Sequence, residues 1–549
     1  MNRQHVSKFV GVLVAVGLVG VTVPVNAQTV TPFQMVGHIQ SFVLDPIIGT
    51  ACPASNIGAR MIVNGIEVII PCHSVILLPA AYKTPLQLFD EAKGISKDQG
   101  QSGLALQDTT HPSAAFEVSI DGNIVCTPGC LYIAGQVHIS QQSLNAGAGF
   151  IKAIDSATGE MRVGADPTAP ITSTDARIHI NDPEVDFGGG KKTGRYGLSN
   201  QQQFPAPLPN TNPHSRYPDD RFQVDQDNPT IHALTGYPMC LPRPIAGGDP
   251  DCPLTNRTNA NDGTGRLQKV FVMTGPNIPG TPGLPEIKAC NPVCDPMRQA
   301  PMMVGDYIIY QGTMASYPDQ TDPTKSIAYI SAHTIEVNLG IYTEAGKNPA
   351  YVSVEPILIG TKGDETICEG GPAECQDRIK VEGFTTDPTR SVNIYAVDIT
   401  PNGTGGFTSS LRLIAPGATK PAPFGRFRFT ADKNAGVLVD RTGALRGATR
   451  ELIARIESNA GILPGESKPL NDLPLFANGL QAGQYQAPIG EYIYPEPHDM
   501  GGSLPPLNFQ CLSFLARGWD LDGLILKRLD PWPGFNDAQS DARFFSCSL

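Results

Sequence analysis

Arg60-Met61-Ile62-Val63-Asn64-Gly65-Ile66-Glu67-Val68-Ile69-Ile70 is a pair of β-rich runs on either side of Asn-Gly. Both turn residues tolerate positive φ, which makes this pair the strongest short-range hairpin signal a sequence carries. The hairpin lies inside Met35–Pro79, a short β-unit that opens on Met35-Val36-Gly37-His38-Ile39. Loose echoes of that opening stand at Ala134-Gly135-Gln136-Val137-His138-Ile139 and Val304-Gly305-Asp306-Tyr307-Ile308. A unit that returns predicts a mainly β chain, with several small β-barrel or β-sandwich modules in tandem, long irregular loops and little helix. Composition agrees: 57 Gly and 50 Pro punctuate 549 residues of which only 17% are charged. Punctuation of that density without a strict period suits many short strands joined by turns.

Working outward, residues 28–93 form a first β module ending in a short helix over 85–93. Thr84-Pro85-Leu86-Gln87 supplies a cap, a proline suited to the first helical position and the Gln of a capping box. Residues 94–113 read as a polar, Gly-rich linker. A second β module spans 114–187, where Phe116–Ile120, Gln136–Ile139, Phe150–Ile154 and Arg177–Ile180 alternate with period two around the turn Asp155–Glu160. His138 and His179 fall in these runs and read as solvent-facing strand residues. A third β module, 299–365, carries Tyr307-Ile308-Ile309-Tyr310 and Thr334-Ile335-Glu336-Val337. The C-terminal region, 432–549, holds a helical spacing of Leu445, Leu452, Ile453 and Ile456 over 442–458, then a Pro/Gly-rich tail. The chain's two tryptophans, Trp519 and Trp532, fall in that tail, either as a carbohydrate platform or as anchors of an irregular segment.

Residues 1–27 read as a signal peptide: Arg3 and Lys8 precede the uncharged apolar run Phe9–Val25, and Val25-Asn26-Ala27 offers a cleavage site before Gln28. A membrane anchor is the competing reading. No later apolar run reaches the roughly 18 residues of a spanning helix, so no membrane span is expected after cleavage. The expected destination is secreted, periplasmic or cell-surface. A net charge of −12 argues against nucleic acid as a partner, because bulk electrostatics would repel it.

Twelve cysteines in an exported chain read as disulfides. Sequential pairing gives Cys52/Cys72, Cys126/Cys130, Cys240/Cys252, Cys290/Cys294, Cys368/Cys375 and Cys511/Cys547. Zinc competes at the four-residue spacings, but no neighbouring His pair completes a tetrahedral set.

Between the second and third modules the periodicity collapses, and residues 188–298 read as an irregular, disulfide-containing insert. Its densest chemistry is Asp219-Asp220-Arg221-Phe222-Gln223-Val224-Asp225-Gln226-Asp227. Asp219, Asp220, Asp225 and Asp227 offer hard oxygen ligands for calcium; a solvated acidic turn is the plain alternative. No catalytic motif appears anywhere, and the catalytic residues stay unassigned.

Residues 376–431 alternate through Arg378–Phe384, Val392–Asp398 and Gly425–Thr430 around the turn Pro401–Gly406. This pattern resembles an immunoglobulin-like or fibronectin-type β-sandwich module of bacterial surface proteins. The earlier units are similar to small barrel repeats of exported bacterial proteins. The resemblance implies a multi-domain binding or structural component whose partners are cell-surface polysaccharide or protein. The alternative is an extracellular hydrolase acting on polysaccharide, with its site in the 188–298 insert.

Overall fold

The computed structural model describes residues 29–360, 378–432, 451–456, 482–488, 491–493, 519–521 and 524–526. Within these, the segments 46–56, 141–144, 183–184, 187–191, 198–218, 226–227, 258–267, 291–293 and 402–406, and residues 73, 75, 80, 93–94, 113, 127–128, 320, 323 and 420–422, are excepted. The chain is mainly β, about half strand and about a twentieth helix, arranged in several separate sheets. Among the described residues no helix is long and apolar enough to cross a membrane.

The first sheet begins as a meander of β1 (Thr29–Leu44), β2 (Ile57–Val63) and β3 (Ile66–Pro71). Asn64 at φ 52° and Gly65 at φ 76° make the β2–β3 turn, as the Asn-Gly pair demands. A small hairpin follows, β4 (Ile76–Leu78) and β5 (Ala81–Lys83), and then helix α1 (Pro85–Asp90). The helix starts where the sequence places it: the Thr84 hydroxyl accepts from Gln87 N, and the Gln87 side chain accepts from Thr84 N. Strand β6 (Glu117–Cys126) lies antiparallel along β1, and β7 (Cys130–Ser140) along β6. Strand β7 also meets β3 in parallel, through Val68↔Tyr132 and Ile69↔Ile133. That last pairing closes five strands into a barrel ordered β1-β2-β3-β7-β6, with α1 between its third and fourth strands. Such connectivity is that of an OB-fold.

The same ring is built a second time. Strands β8 (Ala146–Ile154), β9 (Met161–Gly164) and β10 (Ala176–Ile180) form the meander. An insert follows, with β11 (Val185–Asp186), β12 (Lys192–Thr193), β13 (Ile231–Ala233), β14 (Met239–Cys240), β15 (Val270–Val272) and β16 (Ala300–Pro301). The chain then returns as β17 (Tyr307–Pro318) along β8 and β18 (Ser326–Val337) along β17. Strand β18 meets β10 in parallel through Ile178↔Ile330, His179↔Ser331 and Ile180↔Ala332. The insert therefore stands where the first barrel has its helix.

Both barrels bend by one device. In the first, Gly122 sits beside a register shift, and a Cβ there would lie 2.2 Å from the Ile133 carbonyl oxygen. In the second, Gly312 sits beside the bulge at His333, and a Cβ would lie 2.4 Å from the Ser331 carbonyl oxygen. Only a residue without a side chain lets the strand curl that closely over its neighbour.

A third sheet of eight strands follows the short strand β19 (Gly340–Tyr342). It comprises β20 (Val352–Gly360), β21 (Arg378–Thr385), β22 (Val392–Pro401), β23 (Phe407–Thr419), β24 (Arg426–Asp432), β25 (Glu451–Ile456), β26 (Gln484–Pro488) and β27 (Glu491–Ile493). A last hairpin joins β28 (Trp519–Leu521) to β29 (Leu524–Leu526).

Several sequence expectations change. The helix expected over 442–458 is strand β25 where it is described: Leu452–Ile456 is buried without alternation between β22 and β26, so its apolar residues serve both faces of a central strand. The expected linker 94–113 packs onto the first barrel, with Ser102, Leu104 and Ala105 wholly buried. The boundary at 114 falls inside the first sheet, since β6 and β7 complete that barrel while β8–β10 found the next. The echoes at 134–139 and 304–308 are not equivalent to 35–39: the first lies in β7 and the second leads into β17. The strands of 376–431 share their sheet with β20 and β25–β27, and among the described residues nothing is diagnostic of an immunoglobulin module.

Candidate functional site

The acidic stretch of the insert lies at the junction of the two barrels. Asp219 caps a 3-10 turn over Asp220–Phe222, accepting from Arg221 N at 3.0 Å. Its carboxylate also takes Arg221 Nε at 2.9 Å and Nη2 at 2.6 Å. The buried Arg221 guanidinium continues outward, donating from Nη1 to the carbonyls of Ser102 at 2.8 Å and Leu88 at 3.3 Å. Phe222 enters the first barrel's core and packs against Phe116 with ring centroids 4.9 Å apart. From the other side, Asn181 at the end of β10 donates to the carbonyls of Phe222 and Asp219. The run is a latch between barrels.

Two of the four candidate calcium ligands are engaged within the protein. Asp219 is committed to a guanidinium, Asp220 is exposed, and Asp225 accepts from Asn228 N at 3.1 Å and Nδ2 at 2.9 Å. Among the described residues, no three His, Cys, Asp or Glu side chains gather into a metal-holding group. Asp227 lies outside the described residues, as does Trp532. Elsewhere in the insert, Asp249 and Asp251 are both held by Arg243, at 2.5 and 2.6 Å, so these acids too are locked by arginine.

Cys126–Cys130, Cys240–Cys252 and Cys290–Cys294 are disulfides, which removes zinc from these positions. Cys72 is disulfide-bonded as well. Cys52, Cys368, Cys375, Cys511 and Cys547 lie outside the described residues. These pairs fit an oxidising, extracellular environment.

A different constellation gathers on the second barrel. Glu160 ends the β8–β9 turn, Arg177 and His179 alternate along β10, Tyr317 closes β17 and Tyr329 lies on β18. Glu160 accepts from Arg177 Nη1 at 2.6 Å and from the Tyr317 hydroxyl at 3.0 Å, with His179 Nε2 at 3.4 Å. The His179 ring stands edge-on to Tyr329 at 4.8 Å. His179 is only 1% exposed, which corrects its reading as a solvent-facing residue, and His138 is half-buried. Burial opposes the charge on Glu160, but hydrogen bonds from His179 and Arg177 outweigh it and bring its carboxyl down to about 2. Burial and the neighbouring Glu160 charge push the Tyr317 hydroxyl up to about 12. Near neutrality both groups are fixed, Glu160 as anion and Tyr317 as neutral donor.

Beside this cluster runs a groove of about 700 Å³, bordered by Arg162 and Arg177, the β9–β10 loop at 171–176, Met314 and the start of β18. The loop is pinned from below. Lys152 Nζ donates to the Asp175 carboxylate and to Pro170 O, both at 2.8 Å, and Arg162 Nη2 donates to Thr172 O at 2.7 Å. Ile171, Thr172, Ser173 and Thr174 remain exposed along its rim. The sequence shows the parts of this site, the turn 155–160 and the Arg-Ile-His alternation, but not their meeting with Tyr317 and Tyr329, which needs the barrel closed. Comparison with protein-family models, with curated proteins and with solved structures returns no match for this chain.

Proposed function

We propose that this chain is an exported binding component, secreted or held at the cell surface, and that the second barrel's groove is its ligand surface. The carrying observation is a preformed groove beside titratable groups locked in one protonation state. A general acid or base works best with a pKa near the working pH, and Glu160 at about 2 and Tyr317 at about 12 lie far from it. Rigid polar groups beside half-exposed apolar ones instead suit recognition. The hydroxyls of Thr172, Ser173 and Thr174 share the groove lining with the apolar Ile171, Met314 and Ile327, a combination that matches the hydroxyl-rich edges and apolar faces of a sugar chain. The barrel topology hosts many functions, so this reading rests on the groove and not on the fold. Affinity electrophoresis of the purified protein through neutral and acidic polysaccharides tests it, with Ala328→Trp, which fills the groove from an exposed position, as control. Retardation by at least one polysaccharide, abolished by the substitution, is the expected result; migration unaffected by every polysaccharide would end the proposal.

A further inference from the structure

We infer that the groove on the second barrel is built for an acidic sugar, with Arg177 as the subsite that grips a uronate carboxylate. This rests on the groove being the ligand surface.

The Arg177 guanidinium is held on one side only. Nη1 donates to Glu160 and, at 3.5 Å, to the Tyr317 hydroxyl, and no other hydrogen bond of this side chain occurs among the described residues. A guanidinium carries five N–H donors, so the fork of Nε and Nη2 is left over. A third of the side chain is exposed, on the groove wall. Glu160 fixes the plane of the fork before any ligand arrives, and a bidentate carboxylate is the partner that such a fork matches.

Charge points the same way. The groove lining itself includes two cations, Arg162 and Arg177, and one carboxylate, Asp175, on a chain whose net charge is −12. Anions repelled by the molecule at large are favoured at this place. An acidic peptide has little backbone to hold. Peptides dock on sheets chiefly by adding a strand to a free edge. Strand β18 is paired along its length to β17 and to β10 from Ile330 on, which leaves only residues 326–329 without a strand on the groove side. What is left to the ligand is a side-chain surface of hydroxyls, one guanidinium fork and apolar patches.

Titration calorimetry of the full chain with tetragalacturonic acid, with its carboxyl-reduced counterpart and with poly-glutamate tests the inference. Expected are binding of the uronate that weakens with added salt, at least tenfold weaker binding of the reduced tetramer, and no competition by poly-glutamate. Arg177→Gln should lower uronate affinity at least tenfold. Ile171→Asp, which sets a like charge on an already exposed rim position, should do the same without touching the Glu160 cluster, so a folding defect in one variant leaves the other decisive. Equal affinity for acid and reduced tetramers would overturn the carboxylate subsite and leave a neutral-sugar groove standing. Preference for poly-glutamate would overturn it in favour of a peptide. Binding of no oligosaccharide, together with unretarded migration through polysaccharide gels, would remove both this inference and the reading beneath it.

Discussion

At the scale of single residues, two groups make stability fall with pH in successive windows. Glu160 has a folded pKa of about 2 against 4.5 unfolded, so its stabilisation is present above pH 4.5 and drains away as pH falls towards 2. Glu160→Gln removes a charge-assisted acceptor of Arg177 and Tyr317, at a cost of about 2–3 kcal/mol at pH 7. The variant's unfolding free energy should also lose less than wild type's between pH 4.5 and 2. Urea titrations at pH 7, 4.5 and 3 check both, and parallel curves for the two proteins would count against the network. His333 acts in the same direction but higher on the pH scale, because the fold excludes its charged form. It occupies the bulge opposite Gly312, and burial presses its pKa down to about 3 from 6.5. The unfolded chain takes up a proton first, so stability falls as pH drops from 6.5 towards 3. Over pH 6.5 to 4.5, where Glu160 is still silent, His333 contributes about 2–3 kcal/mol of loss, at 1.4 kcal/mol per unit, to which His138 and His232, whose pKa values burial also lowers, add their own. His333→Gln keeps a polar atom for the Thr334 hydroxyl, which contacts His333 Nδ1 at 2.9 Å, and should flatten that slope by the same amount. Unfolding free energies of this variant at pH 6.5 and 4.5 that differ as much as wild type's would refute the assignment.

Among elements, what could be read in advance was whatever is local. Asn64-Gly65 fixes a hairpin through two positive φ angles, and Thr84 with Gln87 fixes a helix start through two hydrogen bonds, each within a few residues. Strand β25 reads as helix in the sequence because an apolar run buried on both faces has no period of its own, and Leu452, Ile453 and Ile456 fit a helical one. The barrels themselves could not be read at all. They close through β3–β7 and β10–β18, parallel pairings of strands distant in the chain, and such pairings leave no signature in either strand. The candidate site inherits that blindness, because Glu160 meets Tyr317 only in the closed ring. Gly122 and Gly312 were visible as residues but not as a shared device. Substituting either by Ala puts a Cβ against a backbone carbonyl that cannot rotate away, costing about 1–3 kcal/mol. Melting temperatures of Gly122→Ala and Gly312→Ala within a degree of wild type would show that the strands curl without them.

For the whole molecule, the question is what couples two rings of one topology. The insert between β10 and β17 occupies the place of a barrel helix, and its buried side chains join the second barrel's core, through Leu241, Phe271, Met273, Cys290 and Cys294. It is anchored to β17 by Arg257, whose guanidinium makes two 2.8 Å hydrogen bonds to Asp306, both residues being buried. The same insert reaches the first barrel at Arg221 and Phe222 and the third sheet at Asn228, whose amide pairs with both backbone groups of Gln486. A stretch that looks like a loop in sequence is thus a spine shared by three sheets. Phe222→Ala removes a buried aromatic ring, which costs about 3–5 kcal/mol in a core. Arg221→Ala leaves Asp219 largely buried without its cation, at a cost of similar size. The Arg221 penalty falls on the contact between barrels and the Phe222 penalty on the first barrel's core, neither on the second ring, so the two barrels should part. Calorimetry of the wild-type protein should show the two barrels melting in one transition. In Arg221→Ala/Phe222→Ala that peak should split, the first barrel melting earlier and the second, with its insert still folded around Leu241 and Phe271, close to its original temperature. A single peak merely shifted downward would mean that the barrels are coupled through some contact other than this latch.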